Sequence, residues 1–151
     1  MVKRLTNPLQ ERDLPLGTLM SSAGARLAAR LDAALREAGF RDLRSSHAAP
    51  FVVLDADGTR ASVLAARAHM TKQAMGELVG YLVQRGYLET VPDPTDGRAR
   101  LVRATARGWR AVDTGVEVIA AFDDWLEEQL GAEGTARLRR DLHLILEAEI
   151  P

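Results

Sequence analysis

The stretch from Pro92 to Arg100, which reads PDPTDGRAR, concentrates side chains whose types and spacing could do chemistry. Its two aspartates, Asp93 and Asp96, could ligate a cation, cap a turn or pair with the arginines. A calcium loop is excluded, because no third ligand lies between the aspartates and no glutamate follows at the twelfth position. The arginines, Arg98 and Arg100, could instead contact a polyanion.

A second group of polar side chains lies earlier in the chain, on one face of a helix predicted over residues 71–85. The opposite face is an apolar stripe at positions i, i+3, i+4 and i+7, formed by Met75, Leu78, Val79 and Leu82. Lys72 could neutralise a phosphate or reach guanine, Gln73 could pair with adenine, and Gly76 would let the helix backbone approach DNA closely. An ordinary amphipathic helix with a solvated polar face fits the same pattern.

The elements that must position these two groups are helical, apart from one hairpin. Apolar residues recur at helical spacing in six segments, over residues 16–38, 46–56, 61–68, 71–85, 105–130 and 133–149. Thr71 and Thr105 are the expected N-caps of two of them, and Gly131 separates the last two. Between these capped helices the period falls to two, which predicts strands over Tyr87–Val91 and Ala99–Ala104 joined by a long turn.

The bulk composition indicates one globular domain and excludes several classes of protein. The chain has 151 residues, and 46% of them are apolar, which is enough to build a core. The absence of cysteine excludes disulfides, thiolate metal sites and cysteine nucleophiles. No secretory signal or apolar run of membrane-spanning length is visible, so a cytoplasmic protein is expected. The polar first 15 residues are predicted to be a mobile arm or a strap.

No enzyme or metal site is predicted. The sequence has no G-x-S-x-G motif, no glycine-rich phosphate loop and no carboxylate pair at a catalytic spacing, so neither a catalytic residue nor a cofactor is expected. The three histidines, His47, His69 and His143, fall on three different elements, and no two of them have the spacing of a zinc motif.

The distribution of charge along the chain favours a polyanionic partner. Ordinary variation in charge between solvent-exposed faces is the alternative explanation. Residues 59–110 hold nine basic and four acidic side chains, a net charge of +5, whereas residues 111–151 hold three and ten, a net charge of −7. The helices on either side of the tight turn His69-Met70 form a candidate helix-turn-helix, whose second helix would enter the major groove. The arginines of the following hairpin would reach the DNA backbone or the narrow minor groove. The predicted DNA contacts are Arg60, Ser62, Thr71, Lys72, Gln73, Gly76, Arg98 and Arg100.

The segment from Leu64 to Gly108 resembles the DNA-binding core of the MarR family of bacterial transcriptional regulators. The resemblance rests on a combination of motifs: LA at 64–65, TKQAMGELV from Thr71, RGY before the first strand, DPTDGR at the hairpin tip, and T-x-x-G from Thr105. The flanking helices fall where that family has its dimerisation helices, so the resemblance covers nearly the whole chain.

The resemblance implies a mainly α subunit with a small β-hairpin wing, that is, a winged helix-turn-helix with long N- and C-terminal dimerisation helices. Residues 1–151 would form one such subunit, with 46–104 as the DNA-binding lobe and 16–38 and 105–150 as the dimerisation helices. The homodimer would bind a pseudo-palindromic operator in double-stranded DNA, usually as a repressor that a small phenolic or lipophilic effector releases. The positions matching the family's DNA contacts are Thr71, Lys72, Gln73, Gly76 and Arg98.

The same resemblance raises three further points. Candidate walls of an effector pocket are large side chains on the elements that meet between lobe and dimer interface: Leu19, Met20, Phe51, Leu54 and Trp109. The sequence departs from the family pattern at Gly97, where a second wing arginine is usual, and at His69, where glycine is common. A rival interpretation is a winged-helix module that binds another protein and does not bind DNA.

Overall fold

The computed structural model describes residues 14–149, so the arm predicted for residues 1–15 lies outside it except for Leu14 and Pro15. The fold is mainly helical with one antiparallel hairpin, as the sequence predicts. A short 3₁₀ turn at Ser45–His47 precedes the second helix. In chain order the elements are α1 Leu16–Glu37, α2 Ala49–Val53, α3 Ala61–Arg67, α4 Lys72–Gln84, β1 Leu88–Asp93, β2 Asp96–Ala104 and α5 Ala106–Glu147.

Local signals at the helix ends produce the predicted boundaries. The Thr71 hydroxyl accepts a hydrogen bond from the Ala74 amide at 3.1 Å, and the Thr105 hydroxyl accepts one from the Gly108 amide at 3.0 Å. Both threonines therefore cap the first turn of their helices, since each satisfies an amide that has no partner within the helix. Gly86, in the left-handed region with φ 73°, follows the end of α4.

Two boundaries differ from the prediction. The helix predicted over 46–56 is shorter, because Leu54 is extended with φ −77° and ψ 132°. The long hairpin turn is wrong: only Pro94 and Thr95 separate the strands. The separation of the last two predicted helices at Gly131 is confirmed, because φ 72° and ψ 163° at this residue interrupt α5.

The break at Gly131 reverses the direction of the chain. Arg139 and Asp123, on either side of it, form an ion pair with 3.3 Å between nitrogen and oxygen. In a straight helix residues sixteen apart would lie about 24 Å from each other. The segment after Gly131 therefore folds back along the segment before it, as two antiparallel helices.

The core lies between α3, α4, the hairpin and the start of α5. Its largest fully buried side chains are Tyr87, Leu64, Met75, Leu82, Leu88 and Pro50. The predicted stripe of α4 faces this core, with Leu78 the only half-buried member. Thr59 adds a further pairing that the sequence did not predict, because its amide and carbonyl both bond Val102 on β2 at 2.9 Å. The base of the hairpin is thereby fixed to the start of α3.

The terminal helices are covered much less completely than this core. The last turns of α1 pack along α5, and Leu35 and Ala111 are buried there. By contrast, Leu16 is 78% exposed and Leu146 is 81% exposed. The first half of the predicted inward stripe of α1 thus faces outward in the single chain. No helix within residues 14–149 is long and apolar enough to cross a membrane.

Candidate nucleic-acid interface

The outward face of α4 presents the predicted polar residues together. Because the opposite stripe is buried, Lys72, Gln73 and Gly76 face the solvent, and all three are exposed. The Gln73 amide nitrogen donates to the Glu77 carboxylate at 3.1 Å. A side chain added at Gly76 would meet no atom within 4 Å. This part of α4 is therefore an open surface with little projecting from it.

The turn that aims α4 uses the unusual residue noted in the sequence. His69 has φ 52°, a left-handed conformation that is uncommon for residues other than glycine. Two hydrogen bonds close the turn after α3. The His69 amide donates to the Ala66 carbonyl at 3.2 Å, and the Met70 amide donates to the Ala65 carbonyl at 2.9 Å. The predicted tight turn at His69-Met70 is confirmed, and it uses a left-handed residue.

The two wing arginines have different surroundings. Only the backbone of Arg98 is held, by a hydrogen bond from its amide to Asp96 Oδ1 at 3.1 Å. The Arg100 guanidinium instead lies back along β1, donating to the Thr90 carbonyl at 2.7 Å and to its hydroxyl at 3.2 Å. Gly97 is exposed and has open space beside it. Arg98 is thus the arginine that the wing tip presents outward.

Arg60 has a different environment from the other predicted contacts. Its Nη2 and Nε lie 2.6 and 2.8 Å from Asp93 Oδ2, and Nη2 lies 3.5 Å from Asp96 Oδ2. Asp93 is only 6% exposed. Hydrogen bonds from the Thr95 hydroxyl and amide, together with that from Arg60, lower the pKa of Asp93 to about 2. Ser62, in the same first turn of α3, is exposed.

Most basic side chains of the segment 59–110 are engaged within the chain. Arg67 pairs with Asp55 at 2.9 Å, and Arg103 pairs with Glu89 at 2.7 Å. Within the part of the chain that the structure describes, the basic residues of this segment without a side-chain hydrogen bond or ion pair are Lys72, Arg98 and Arg110. Two of these three lie on α4 and on the wing tip, the two elements that the sequence assigns to DNA.

A partly buried polar cluster, which the sequence did not predict, joins the lobe to the terminal helices. The Tyr87 hydroxyl donates to Asp42 Oδ1 at 2.5 Å and accepts from Arg107 at 3.0 Å, and the Tyr81 hydroxyl donates to the Asp42 carbonyl at 2.6 Å. Burial is the first cause that raises the pKa of Tyr87, and the bond to Asp42 adds to it. No local pattern reveals this cluster, since Asp42 and Tyr87 are 45 residues apart.

A cavity of about 270 Å³ lies where α1, the segment 43–52 and α5 meet. Its walls are mostly aliphatic, from Leu31, Leu35, Leu43, Ala48, Val52, Ala111, Val112, Gly115, Val116 and Ile119, with Arg44, Ser45 and His47 as polar members. Of the predicted pocket residues, Phe51 lines it. Leu54 packs against the lobe core, Leu19 and Met20 lie exposed on α1, and Trp109 lies partly exposed on the first turn of α5.

Comparison with known proteins gives these features a family context. Residues 51–99, from α2 to the wing tip, match the model of the MarR family. This segment of the chain is similar to the winged helix of that family. No curated protein matches the chain in sequence.

Solved structures extend the likeness to nearly the whole MarR-type subunit. The chain is similar to CouR from Rhodococcus jostii RHA1, solved bound to p-coumaroyl-CoA, with a TM-score of 0.70, 24% identity, and 97% of this chain and 99% of that one covered. MepR of S. aureus, solved with DNA, gives a TM-score of 0.74, 16% identity and coverages of 89% and 98%. PcaV from Streptomyces coelicolor, solved with its natural ligand, gives a TM-score of 0.62 and 24% identity, with 91% of this chain and 98% of that one covered. At these identities the likeness establishes the fold.

Proposed function

We propose that this MarR-type protein is a transcriptional regulator that binds double-stranded DNA as a homodimer and represses until an effector releases it. The observation that carries the proposal is a pair of basic side chains, Lys72 on α4 and Arg98 on the wing, that have no hydrogen bond or ion pair within residues 14–149. Positive side chains left unpaired on two adjoining elements are suited to phosphates. In the bound state α4 lies in the major groove and the wing follows the backbone into the minor groove.

On α4, phosphate contacts and base contacts fall to different residues. Thr71 and Lys72, at the N-terminus, face the phosphate backbone, where lysine acts as a point charge. Gln73 reads a base edge, and its bond to Glu77 fixes the orientation of its amide before DNA arrives. Gly76 lets the helix approach closely. Ser62 and Arg100 are secondary backbone contacts in this proposal, the latter after release from Thr90.

A second copy of the chain is the proposed cover of the exposed apolar residues on the terminal helices. The most exposed of these residues, Leu16, Leu144 and Leu146, belong to helices outside the MarR-family segment. A two-fold dimer would present two α4 helices to half-sites about one helical turn apart, roughly 34 Å, which explains a pseudo-palindromic operator.

The cavity is the proposed effector site. Its aliphatic walls favour a small lipophilic or aromatic molecule, while Arg44 and His47 offer positive or donor groups to one polar end. Because the walls come from α1, α5 and the segment before α3, a bound molecule would change how the lobe sits on the terminal helices. CouR and PcaV, which have the same fold, were solved with small ligands.

The test is DNA binding measured by fluorescence anisotropy between 50 and 200 mM salt, on a fragment upstream of the protein's own coding sequence. For wild type, log K should fall steeply with log salt, with a slope near −0.9 per phosphate neutralised. Arg98→Ala should weaken binding and reduce the slope by about one per wing. Arg140→Ala, which removes an exposed arginine from the far part of α5, is the control and should change neither.

Two outcomes would reject the proposal. Absence of salt-dependent binding to any DNA would favour the protein–protein interaction module. An unchanged slope in Arg98→Ala would mean that the wing does not touch DNA. Gly97→Arg provides the opposite change, because a second wing arginine should tighten binding and steepen the slope.

A further inference from the structure

The side chain of Arg60 connects α3 to the tip of the wing. Arg60 occupies the N-cap position of α3 but makes no capping hydrogen bond. Its guanidinium instead crosses to Asp93 and Asp96, which lie 33 and 36 residues later in the sequence. Among the side chains described in residues 14–149, it is the one from outside the hairpin that hydrogen-bonds the tip.

The two carboxylates that Arg60 contacts also shape the turn. Asp93 uses its other oxygen, Oδ1, to accept from the Thr95 amide at 2.8 Å and from the Thr95 hydroxyl at 2.7 Å. Asp96 uses Oδ1 to accept from the Arg98 amide at 3.1 Å. A continuous series of contacts therefore runs from Arg60, through both aspartates, to the backbone of Arg98.

The wing needs such an anchor. A two-stranded hairpin alone is marginally stable in water, and the backbone bond between Thr59 and Val102 fixes only its base. The tip also carries two carboxylates, which would repel DNA phosphates if nothing balanced their charge. Arg60 supplies both an attachment and a compensating positive charge.

We propose that Arg60 is a positioning residue for DNA binding: it holds the wing tip, and thereby Arg98, in the binding pose without contacting DNA itself. This inference rests on the proposed function, and it replaces the sequence-based prediction that Arg60 contacts DNA. Arg60 directs its Nε and Nη2 at two carboxylates, which offset its charge, whereas the Arg98 guanidinium has no hydrogen bond or ion pair within residues 14–149.

The experiment is a double-mutant cycle of Arg60→Ala and Arg98→Ala, read by DNA affinity and by the salt slope. Each single variant should weaken binding roughly ten-fold and reduce the slope by about one per subunit. In the Arg98→Ala background, Arg60→Ala should cost less than about two-fold and leave the slope unchanged, because residues acting through one contact are not additive. Additive losses, with a further fall in slope, would make Arg60 a direct phosphate contact and overturn the inference.

Hydrogen exchange of the free protein gives a second readout that does not depend on DNA. Arg60→Ala should speed exchange of the amides of Thr95 and Arg98, which donate to Asp93 and Asp96. Arg60→Lys should do so less, because it keeps the charge but cannot supply both the Nε and the Nη2 contact. Arg67→Ala is the control, since it breaks an ion pair at the other end of α3. Unchanged exchange in Arg60→Ala would reject the positioning role, whereas faster exchange with no salt-dependent DNA binding by wild type would reject only the proposed function.

Discussion

The winged-helix lobe, residues 46–104, and the terminal helices α1 and α5 handle their apolar residues in opposite ways. Leu64, Met75, Leu82 and Tyr87 are completely buried within the lobe, whereas Leu16, Leu144 and Leu146 on the terminal helices are each more than 70% exposed. The lobe completes its core within one chain. The terminal helices leave an apolar surface, which a second copy covers in the proposed dimer.

The boundary between these two regions contains a polar cluster and the cavity. The cluster of Asp42, Tyr87 and Arg107 fixes the lobe to the loop after α1 and to the start of α5 through short hydrogen bonds. The cavity lies at the same boundary and is lined by α1 and α5. In the proposed function, a ligand in this cavity would act at the junction between the lobe and the terminal helices, which suits a switch between two packings.

The largest expected effect comes from placing charge on the exposed face of α5. Leu142→Glu combined with Leu146→Glu should convert the proposed dimer to monomer, because each leucine buried at an interface contributes about 1.5–3 kcal/mol and a buried carboxylate costs more. Sedimentation velocity at several protein concentrations measures this change. Arg140→Glu is the control, since it changes the net charge by the same amount on the same helix. A double variant that stays dimeric would show that this face is not the interface.

Truncation within the lobe core should produce the next largest effect. Leu64→Ala should lower the free energy of unfolding by about 2–5 kcal/mol, because this side chain is fully buried and leaves a cavity. Urea denaturation followed by circular dichroism gives the value. Val63→Ala, at the adjacent and 38% exposed position of α3, is the control and should cost much less. Equal losses at the two positions would contradict the assignment of the core to the inward face of α3.

Several features of the fold follow from local patterns in the sequence. Thr71 and Thr105 cap their helices because the cap bond is made to an amide three residues away. The α4 stripe follows from helical spacing alone. By contrast, no local pattern predicts the contacts of Arg60, because its partners lie more than thirty residues away. The cavity likewise brings together Leu31, Phe51 and Ile119, whose proximity only the assembled fold sets.

A smaller effect is expected where α5 meets β1, at the glycine of the T-x-x-G motif. A Cβ added at Gly108 would overlap the Tyr87 carbonyl oxygen and lie 3.3 Å from the Phe51 ring. Gly108→Ala should therefore destabilise the protein by about 1–3 kcal/mol, the usual cost of overpacking. Gly80→Ala is the matched control, because that helical glycine has open space and alanine favours helix there. Urea midpoints should move in opposite directions, and a neutral Gly108→Ala would mean that α5 can shift away from β1 freely.

The smallest effect concerns the ionisation of Asp93 at the wing clamp, that is, the contacts of Arg60 with Asp93 and Asp96. The folded state lowers the pKa of this carboxyl from 3.8 to about 2, first through the Thr95 hydroxyl and amide and then through Arg60. Because the pKa is depressed, the stabilising contribution is complete above 3.8 and is lost as the pH falls towards 2.

The stability difference between wild type and Asp93→Asn should therefore be constant at neutral pH and shrink between about pH 4 and pH 2, since asparagine cannot ionise. Urea denaturation at a series of pH values measures it. Asp124→Asn is the control, because that exposed carboxylate has no hydrogen bond or ion pair within residues 14–149. A difference that stays constant down to pH 2 would mean that the hydrogen bonds at Asp93 do not depend on its charge. Hydrogen-bond geometry would then hold the wing clamp, and Arg60 would contribute to it as a donor of hydrogen bonds more than as a counter-charge.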